Sequence, residues 1–196
     1  GYNYGEGLYY GDHSSPVQIS CATHGDRPLP IPSMYPRVGY RVGLELNPID
    51  VNDSESTLWL RALVWPEHQD QANLLQNAIR LAQQDPPQLI DGNALALLPD
   101  ILPTAPQDSA LCVFHTHTVN QFSPQERELL SALVAEHGAK RDLFLISMEG
   151  ARFDPEESRA GGHSLLKLAS FRKGIKTEKR LAYCDPHGRW IEWLEG

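Results

Sequence analysis

Strand-like and helix-like segments alternate along most of the sequence, and this order predicts an α/β fold in which a mixed β-sheet is flanked by helices. Apolar residues recur at helical spacing in residues 71–84 and again in 123–138. Apolar runs with strand composition lie between and after these segments, at 109–117 and 141–147. A chain of 196 residues, 41% of them hydrophobic, is long enough to bury a core without support from a disulfide or a metal.

The first 37 residues are predicted to form an irregular arm rich in Gly, Tyr and Pro. A short extended run is expected at 17–22, and the four prolines between residues 28 and 36 exclude a helix. Residues 38–196 are predicted to form one domain. Its first elements are two strands, at 38–46 and 56–65, which a long loop with Asn, Pro and Asp turn formers joins into a hairpin.

The remaining elements are predicted from apolar spacing and from the residues that begin and end each segment. They are a helix over 71–84 with Asp70 as its N-cap, at most a short helix within 91–103, a strand at 109–117, a helix at 123–138, a strand at 141–147, a turn at Met148-Glu149-Gly150, a helix at 163–171, and a hairpin of strands 179–184 and 189–194. The turn of that hairpin is Asp185-Pro186-His187-Gly188, a run of turn-forming residues. This order predicts at least one strand in the interior of the sheet.

Composition excludes some functional classes. The formal net charge of −8 argues against general binding to nucleic acid, which requires a basic face. No apolar run approaches the length of a membrane span. The cysteines, Cys21, Cys112 and Cys184, are odd in number and far apart, which fits a reducing compartment. We therefore expect a cytoplasmic protein, or part of a larger secreted toxin or effector delivered into a cytoplasm, because the sequence begins with Gly rather than Met.

One constellation of residues points to metal chemistry. His115 and His117 are two residues apart in a predicted strand, so both side chains are expected on one face. The next helix begins after Ser123 as its N-cap, with Pro124 first and Glu126 third. Two imidazoles and a carboxylate give three ligands with an open fourth position, as a catalytic zinc requires. A simpler interpretation is also open, in which Ser123 and Glu126 form only a capping box and the histidines only pack.

The segment FHTHTVNQFSPQE resembles the metal motif of the JAB/MPN (JAMM) metalloproteases, H-[ST]-H-x7-S-x-x-D. The resemblance implies that residues 38–196 form a catalytic domain with the cytidine-deaminase-like JAB/MPN architecture. It implies that His115 and His117 bind Zn²⁺, that Glu126 replaces the family's Asp, and that Ser123 stabilises the tetrahedral intermediate. The gap from His117 to Ser123 is five residues instead of seven, and Thr118 stands where the family often has Pro.

The same family uses a Glu on an upstream strand as its general base. Glu45 fits this role best, with Glu55 and Glu67 as substitutes. The resemblance therefore implies a zinc-dependent hydrolase of peptide or isopeptide bonds, in which a metal-activated water attacks the carbonyl group. Its partner would be a protein or peptide substrate, including ubiquitin-like conjugates.

Two alternatives stay open. The first is a non-catalytic protein-interaction module on the same fold. The second is a metal phosphoesterase of the PHP type, whose opening HxH strand and SPxE helix this segment also resembles. That class needs many downstream ligands, and only His137, His163 and His187 follow here.

Overall fold

The computed structural model describes residues 1–154 and 161–195. The helices in these ranges are α1 (Ser54–Ala62), α2 (Gln69–Gln84), α3 (Ala94–Ile101) and α4 (Pro124–Lys140). The strands in the same ranges are β1 (Tyr2–Asn3), β2 (Tyr9–Tyr10), β3 (Ile19–Ser20), β4 (Ala22–His24), β5 (Val42–Glu45), β6 (Gln88–Asp91), β7 (Leu111–Thr116), β8 (Leu143–Gly150), β9 (Ser164–Arg172), β10 (Ile175–Cys184) and β11 (Trp190–Trp193). Across the described ranges, none of the helices combines the length and the apolar character that crossing a bilayer requires.

The largest sheet has six strands in the order β4-β11-β10-β9-β8-β7. β7 and β8 run parallel and are joined by α4, whereas β8, β9, β10 and β11 pair antiparallel in succession. β4 adds to the far edge, parallel to β11. The β7–α4–β8 unit brings the carboxyl ends of two parallel strands to one edge of the sheet.

A second parallel pair stands apart from this sheet. β5 and β6 form a two-stranded sheet, joined through α1 and α2, in which the last residues, Glu45 and Asp91, are register partners. A third small sheet, in the order β2-β1-β3, lies near the N-terminus. The fold is therefore mixed α/β with several sheets, as the alternation of segments predicts.

The core lies between α4 and one face of the large sheet. Val134 of α4 and Leu143 of β8 are fully buried, and both pack with Ala169 and Phe171 of β9. Gly138 permits this close approach, since a Cβ atom there would stand only 2.5 Å from the Phe171 ring. The position of α4 over the sheet is thus fixed by close packing.

Several predicted elements are confirmed. α2 matches the helix predicted over 71–84, although it begins two residues earlier with His68 as its N-cap. α4 begins with Ser123 as N-cap and Pro124 at its first position, as predicted. β7, β8 and the β10–β11 hairpin also occupy their predicted positions, and the Asp185 carboxylate accepts from the backbone of His187 at 2.9 Å within the hairpin turn.

The predicted strand at 56–65 is wrong, because most of this segment forms α1. Asp53 acts as its N-cap and accepts a hydrogen bond from the Ser56 backbone at 2.8 Å. This local cap satisfies a donor at the start of the helix, and it outweighs the β propensity of the Leu- and Trp-rich run. The predicted hairpin at 38–65 therefore does not exist, and β5 pairs with β6 instead.

Two predictions near the C-terminus are also wrong. Residues 164–172 form the strand β9 instead of a helix, because pairing with both β8 and β10 overrides the local pattern. Met148-Glu149-Gly150 does not turn the chain back. β8 continues through these residues in register with β9, and a 3₁₀ turn at Ala151–Phe153 follows.

Candidate functional site

Three polar side chains lie on one face of the large sheet near the carboxyl ends of β7 and β8. His115 of β7 is the register partner of Ser147 of β8, and Glu149 lies two residues further along β8. Since strands alternate their side chains, Ser147 and Glu149 share one face. His115, Ser147 and Glu149 all line the same cavity between α4 and the sheet. Parallel-strand carboxyl ends are where α/β sheets commonly place their ligands.

His115 and Glu149 form a largely buried pair. Their Nδ1 and Oε1 atoms are 2.7 Å apart, and the two side chains are 14% and 13% exposed. Glu149 also accepts from the backbone amides of Thr118 and Val119 at Oε1, at 3.1 and 3.2 Å, and from that of Asn120 at Oε2, at 3.2 Å. The carboxylate is therefore held by four donors at once.

These contacts set the charge of Glu149. Burial by itself would raise the pKa of its carboxyl group, but the hydrogen bonds from His115 and from the amides of Val119 and Asn120 outweigh burial and lower the pKa. An ionised carboxylate can only accept, so His115 donates through Nδ1–H. In the neutral form of the ring, Nε2 then carries the lone pair, and no described residue donates a hydrogen bond to it. A neutral His115 can therefore accept a proton at Nε2, and the residue lines the cavity.

His117 has a different environment from His115. It follows the end of β7 with a left-handed φ of 55°, so the alternation expected from a continuous strand stops before it. Its Nε2 lies 3.1 Å from the Pro186 carbonyl oxygen, to which it donates. Its Nδ1 lies 3.0 Å from the side-chain nitrogen of Asn120, Nδ2, from which it accepts. The Asn120 side-chain oxygen, Oδ1, accepts in turn from the Gly150 backbone amide at 3.3 Å. Both ring nitrogens of His117 are engaged.

Ser123 and Glu126 form the capping box of α4. The Ser123 backbone amide donates to the Glu126 carboxylate at 2.7 Å, and the Glu126 backbone amide donates to the Ser123 hydroxyl at 3.2 Å. Hydrogen bonds from the Ser123 backbone and side chain lower the pKa of Glu126. The two residues thus satisfy donors at the start of the helix.

The three glutamates considered as general base lie outside the large sheet. Glu45 is the last residue of β5 and is exposed, beside Asp91 in the two-stranded sheet. Glu55 lies in the first turn of α1, and Glu67 lies between α1 and α2; both are exposed.

The predicted zinc ligands do not fit a zinc ion as they are arranged. His115 offers one free ring nitrogen, whereas the ring of His117 and the carboxylate of Glu126 already have other partners. Within residues 1–154 and 161–195, no three His, Cys, Asp or Glu residues cluster as a metal site would require. Dependence on Zn²⁺ is still a prediction, and metal analysis of the purified protein would check it.

The cavity measures about 210 Å³ and lies between α4 and the sheet. Its wall is apolar along Leu130, Val134 and Leu145, and it becomes polar towards His115 and Glu149. This combination of an apolar wall and a few convergent polar groups is typical of sites for small molecules.

Sequence reasoning missed Glu149 and Asn120. Glu149 was assigned to a turn, yet it continues the alternation of Leu145 and Ser147 on a buried strand. A carboxylate on the core face of such a strand needs partners, and this could have drawn attention to it. Asn120 gave no comparable indication, because its role depends on the 3₁₀ turn at Val119–Gln121.

The fold and the site together define a mixed α/β protein with a histidine–carboxylate pair at the carboxyl edge of two parallel strands. Residues 1–193 match the model of a bacterial family described as "Uncharacterized protein conserved in bacteria (DUF2332)", and the chain belongs to that family. No curated protein and no solved structure matches the chain.

The predicted relationship to the JAB/MPN metalloproteases is wrong, because the chain belongs to a different family. The matching family model covers nearly the whole chain and is not a JAB/MPN model. The motif that suggested the resemblance has a physical explanation in this fold. Its Ser and Glu cap a helix, and its two histidines have different hydrogen-bond partners on different backbone conformations.

Proposed function

We propose that the chain is an enzyme in which His115, oriented by Glu149, acts as general base on a small substrate in the cavity. Hydrolysis by an activated water molecule is the reaction that this arrangement serves. The observation that carries the proposal is the 2.7 Å bond between His115 Nδ1 and a Glu149 carboxylate that three backbone amides also hold. Such a pair fixes both the tautomer and the direction of the ring.

The chemistry follows from the two ring nitrogens of His115. Nε2 accepts a proton from the attacking water, and the imidazolium that forms keeps its Nδ1–H bond to Glu149. The carboxylate stabilises that positive charge without accepting the proton, since its own pKa is lowered. Nε2 then returns the proton to the leaving group. Positioned general acid–base catalysis of this kind contributes about 10²- to 10⁴-fold in rate.

The size of the cavity limits the substrate. A volume of about 210 Å³ accommodates an acyl group comparable to one amino-acid residue, so a small ester or amide fits better than an extended peptide. If the substrate is a peptide or an isopeptide, as the sequence predicts, the cavity has room for only the one residue next to the bond that is cleaved.

Hydrolysis of small chromogenic substrates tests the proposal. The probes are p-nitrophenyl acetate, p-nitrophenyl hydrogen succinate and alanine p-nitroanilide, each assayed with a chelator and with added Zn²⁺. We expect His115→Gln to lower the rate by about 10²-fold or more, and Glu149→Gln to lower it as well. The matched variant Glu45→Gln removes a carboxylate from the other sheet, and we expect it to keep the wild-type rate.

The outcomes separate the interpretations. Equal rates for wild type and His115→Gln would contradict the proposal. A loss seen only with Glu45→Gln, or only after chelation, would favour the base and the metal predicted from the sequence. No hydrolysis of any probe would favour the non-catalytic interaction module.

A further inference from the structure

Arg127 is held in the wall of the cavity from two sides. Its Nε donates to the Val119 carbonyl oxygen at 3.1 Å, and its guanidinium carbon lies 4.6 Å from the centroid of the Phe153 ring. Both Arg127 and Phe153 line the same cavity as His115. Stacking on a ring and anchoring through Nε leave the two terminal NH₂ groups in a fixed position.

Within the part of the chain that the structure describes, Arg127 has no counter-charge. Among residues 1–154 and 161–195, no carboxylate pairs with it, and its terminal NH₂ groups donate no hydrogen bond. The other cations of the wall are paired: Lys167 with Asp154 at 3.3 Å and with Glu178 at 3.1 Å, and Lys176 with Glu178 at 3.1 Å. A half-buried guanidinium without a counter-charge is costly, and a bound anion would remove that cost.

The cavity beside Arg127 is apolar over much of its wall. Leu130, Leu145, Leu165 and Ala169 line it, and Leu165 and Ala169 are buried. A ligand that fills this space therefore needs an apolar body next to the group that pairs with Arg127.

We infer that the cavity binds a small organic acid, with its oxyanion on the terminal NH₂ groups of Arg127 and its apolar body between α4 and the sheet. A planar guanidinium matches a carboxylate or a phosphate oxygen pair in a bidentate manner. As a statement about substrate, the inference rests on the proposed function, because His115 lies in the wall of the same cavity. The substrate is then an acid whose reacting bond faces His115.

Binding can be measured without turnover, by NMR titration of backbone amides and of the Arg127 Nε–H resonance. The probes are benzoate and phenyl phosphate, which present the two oxyanions on the same body, and benzyl alcohol, which is neutral. The test variants are Arg127→Gln and, in case that variant unfolds, Arg127→Lys, which keeps the charge but loses the planar fork. Arg152→Gln is the matched control, since Arg152 also stacks on Phe153, at 4.8 Å, but does not line the cavity.

We expect benzoate, phenyl phosphate or both to shift resonances around the cavity, and Arg127→Gln to weaken that binding about ten- to a hundredfold. Arg152→Gln should leave it unchanged, and Arg127→Lys should lie between. Benzyl alcohol binding as tightly as the acids, equal weakening by Arg127→Gln and Arg152→Gln, or no shift with either acid would overturn the inference.

A further titration in His115→Gln separates this inference from the proposed function. Acid binding that persists there, while no probe is hydrolysed by wild type, would support the anion site and contradict the enzyme. Hydrolysis that requires His115 but shows no dependence on Arg127 would support the enzyme and contradict the anion site.

Discussion

Two parallel strand pairs in this molecule end in carboxylates, and their surroundings differ completely. At the end of β8, Glu149 is 13% exposed, pairs with His115 and accepts from three backbone amides. At the ends of β5 and β6, Glu45 and Asp91 are exposed, and neither side chain has a partner among the described residues. Both edges are of the kind where α/β proteins place ligands.

The difference lies in what each pair packs against. β7 and β8 belong to a six-stranded sheet covered by α4, whereas β5 and β6 form a sheet of two strands. The helix that follows β5 has no buried residue; Trp59 within it is 65% exposed, and Trp65 just after it is 72% exposed. Burial and hydrogen-bond donors, more than the type of residue at the strand end, therefore decide what a carboxylate can do.

The largest expected effect comes from removing the buried carboxylate. We expect Glu149→Ala to lower the free energy of unfolding by about 3–5 kcal/mol, because His115 and three amides would lose their common acceptor. Asp91→Ala is the matched change at the other edge, and it should stay within about 0.5 kcal/mol of wild type. Urea unfolding followed by circular dichroism measures both changes. Equal losses of unfolding free energy would contradict the difference between the two carboxylates.

A smaller effect should appear with pH. The folded-state pKa of Glu149 lies below its ordinary value of 4.5, so its contribution to stability is fully present above that value and is lost as the pH falls through the folded pKa. The difference in unfolding free energy between wild type and Glu149→Gln should therefore shrink as the pH falls below 4.5. A difference that keeps growing as the pH falls below 4.5 would mean that the carboxyl group is protonated in the fold.

The smallest effect concerns the two helix caps. Ser123→Ala should lower the unfolding free energy by about 1 kcal/mol, because Ser123 caps a helix that packs on the large sheet. Asp53→Ala removes the cap of α1, which buries no residue, and should change global unfolding less while lowering helix content. Thermal unfolding at two wavelengths distinguishes these outcomes, and a larger global loss for Asp53→Ala would show that α1 is part of the cooperative core.

Local patterns predicted much of the fold. Ser123 and Pro124 mark the start of α4, and the turn residues at 185–188 mark the β10–β11 hairpin, because these preferences act within a few residues. β9 was predicted as a helix, since its strand state depends on neighbours on both sides.

The candidate site was predicted only in part for the same reason. His115 was identified from its spacing, but its partner Glu149 is 34 residues away and meets it only through the parallel register of β7 and β8. His117 was predicted on the same face, but its left-handed backbone, which no local pattern indicates, ends the strand alternation on which that prediction depended.

The bond between His117 and the Pro186 carbonyl joins positions 69 residues apart. Closing a loop of that length costs chain entropy, which the contacts around both positions must offset. The segment around His117 therefore depends on the turn of the C-terminal hairpin for one of its hydrogen bonds. A chain that lacks this turn would contain both histidines, but His117 would lose its bond to the Pro186 carbonyl oxygen.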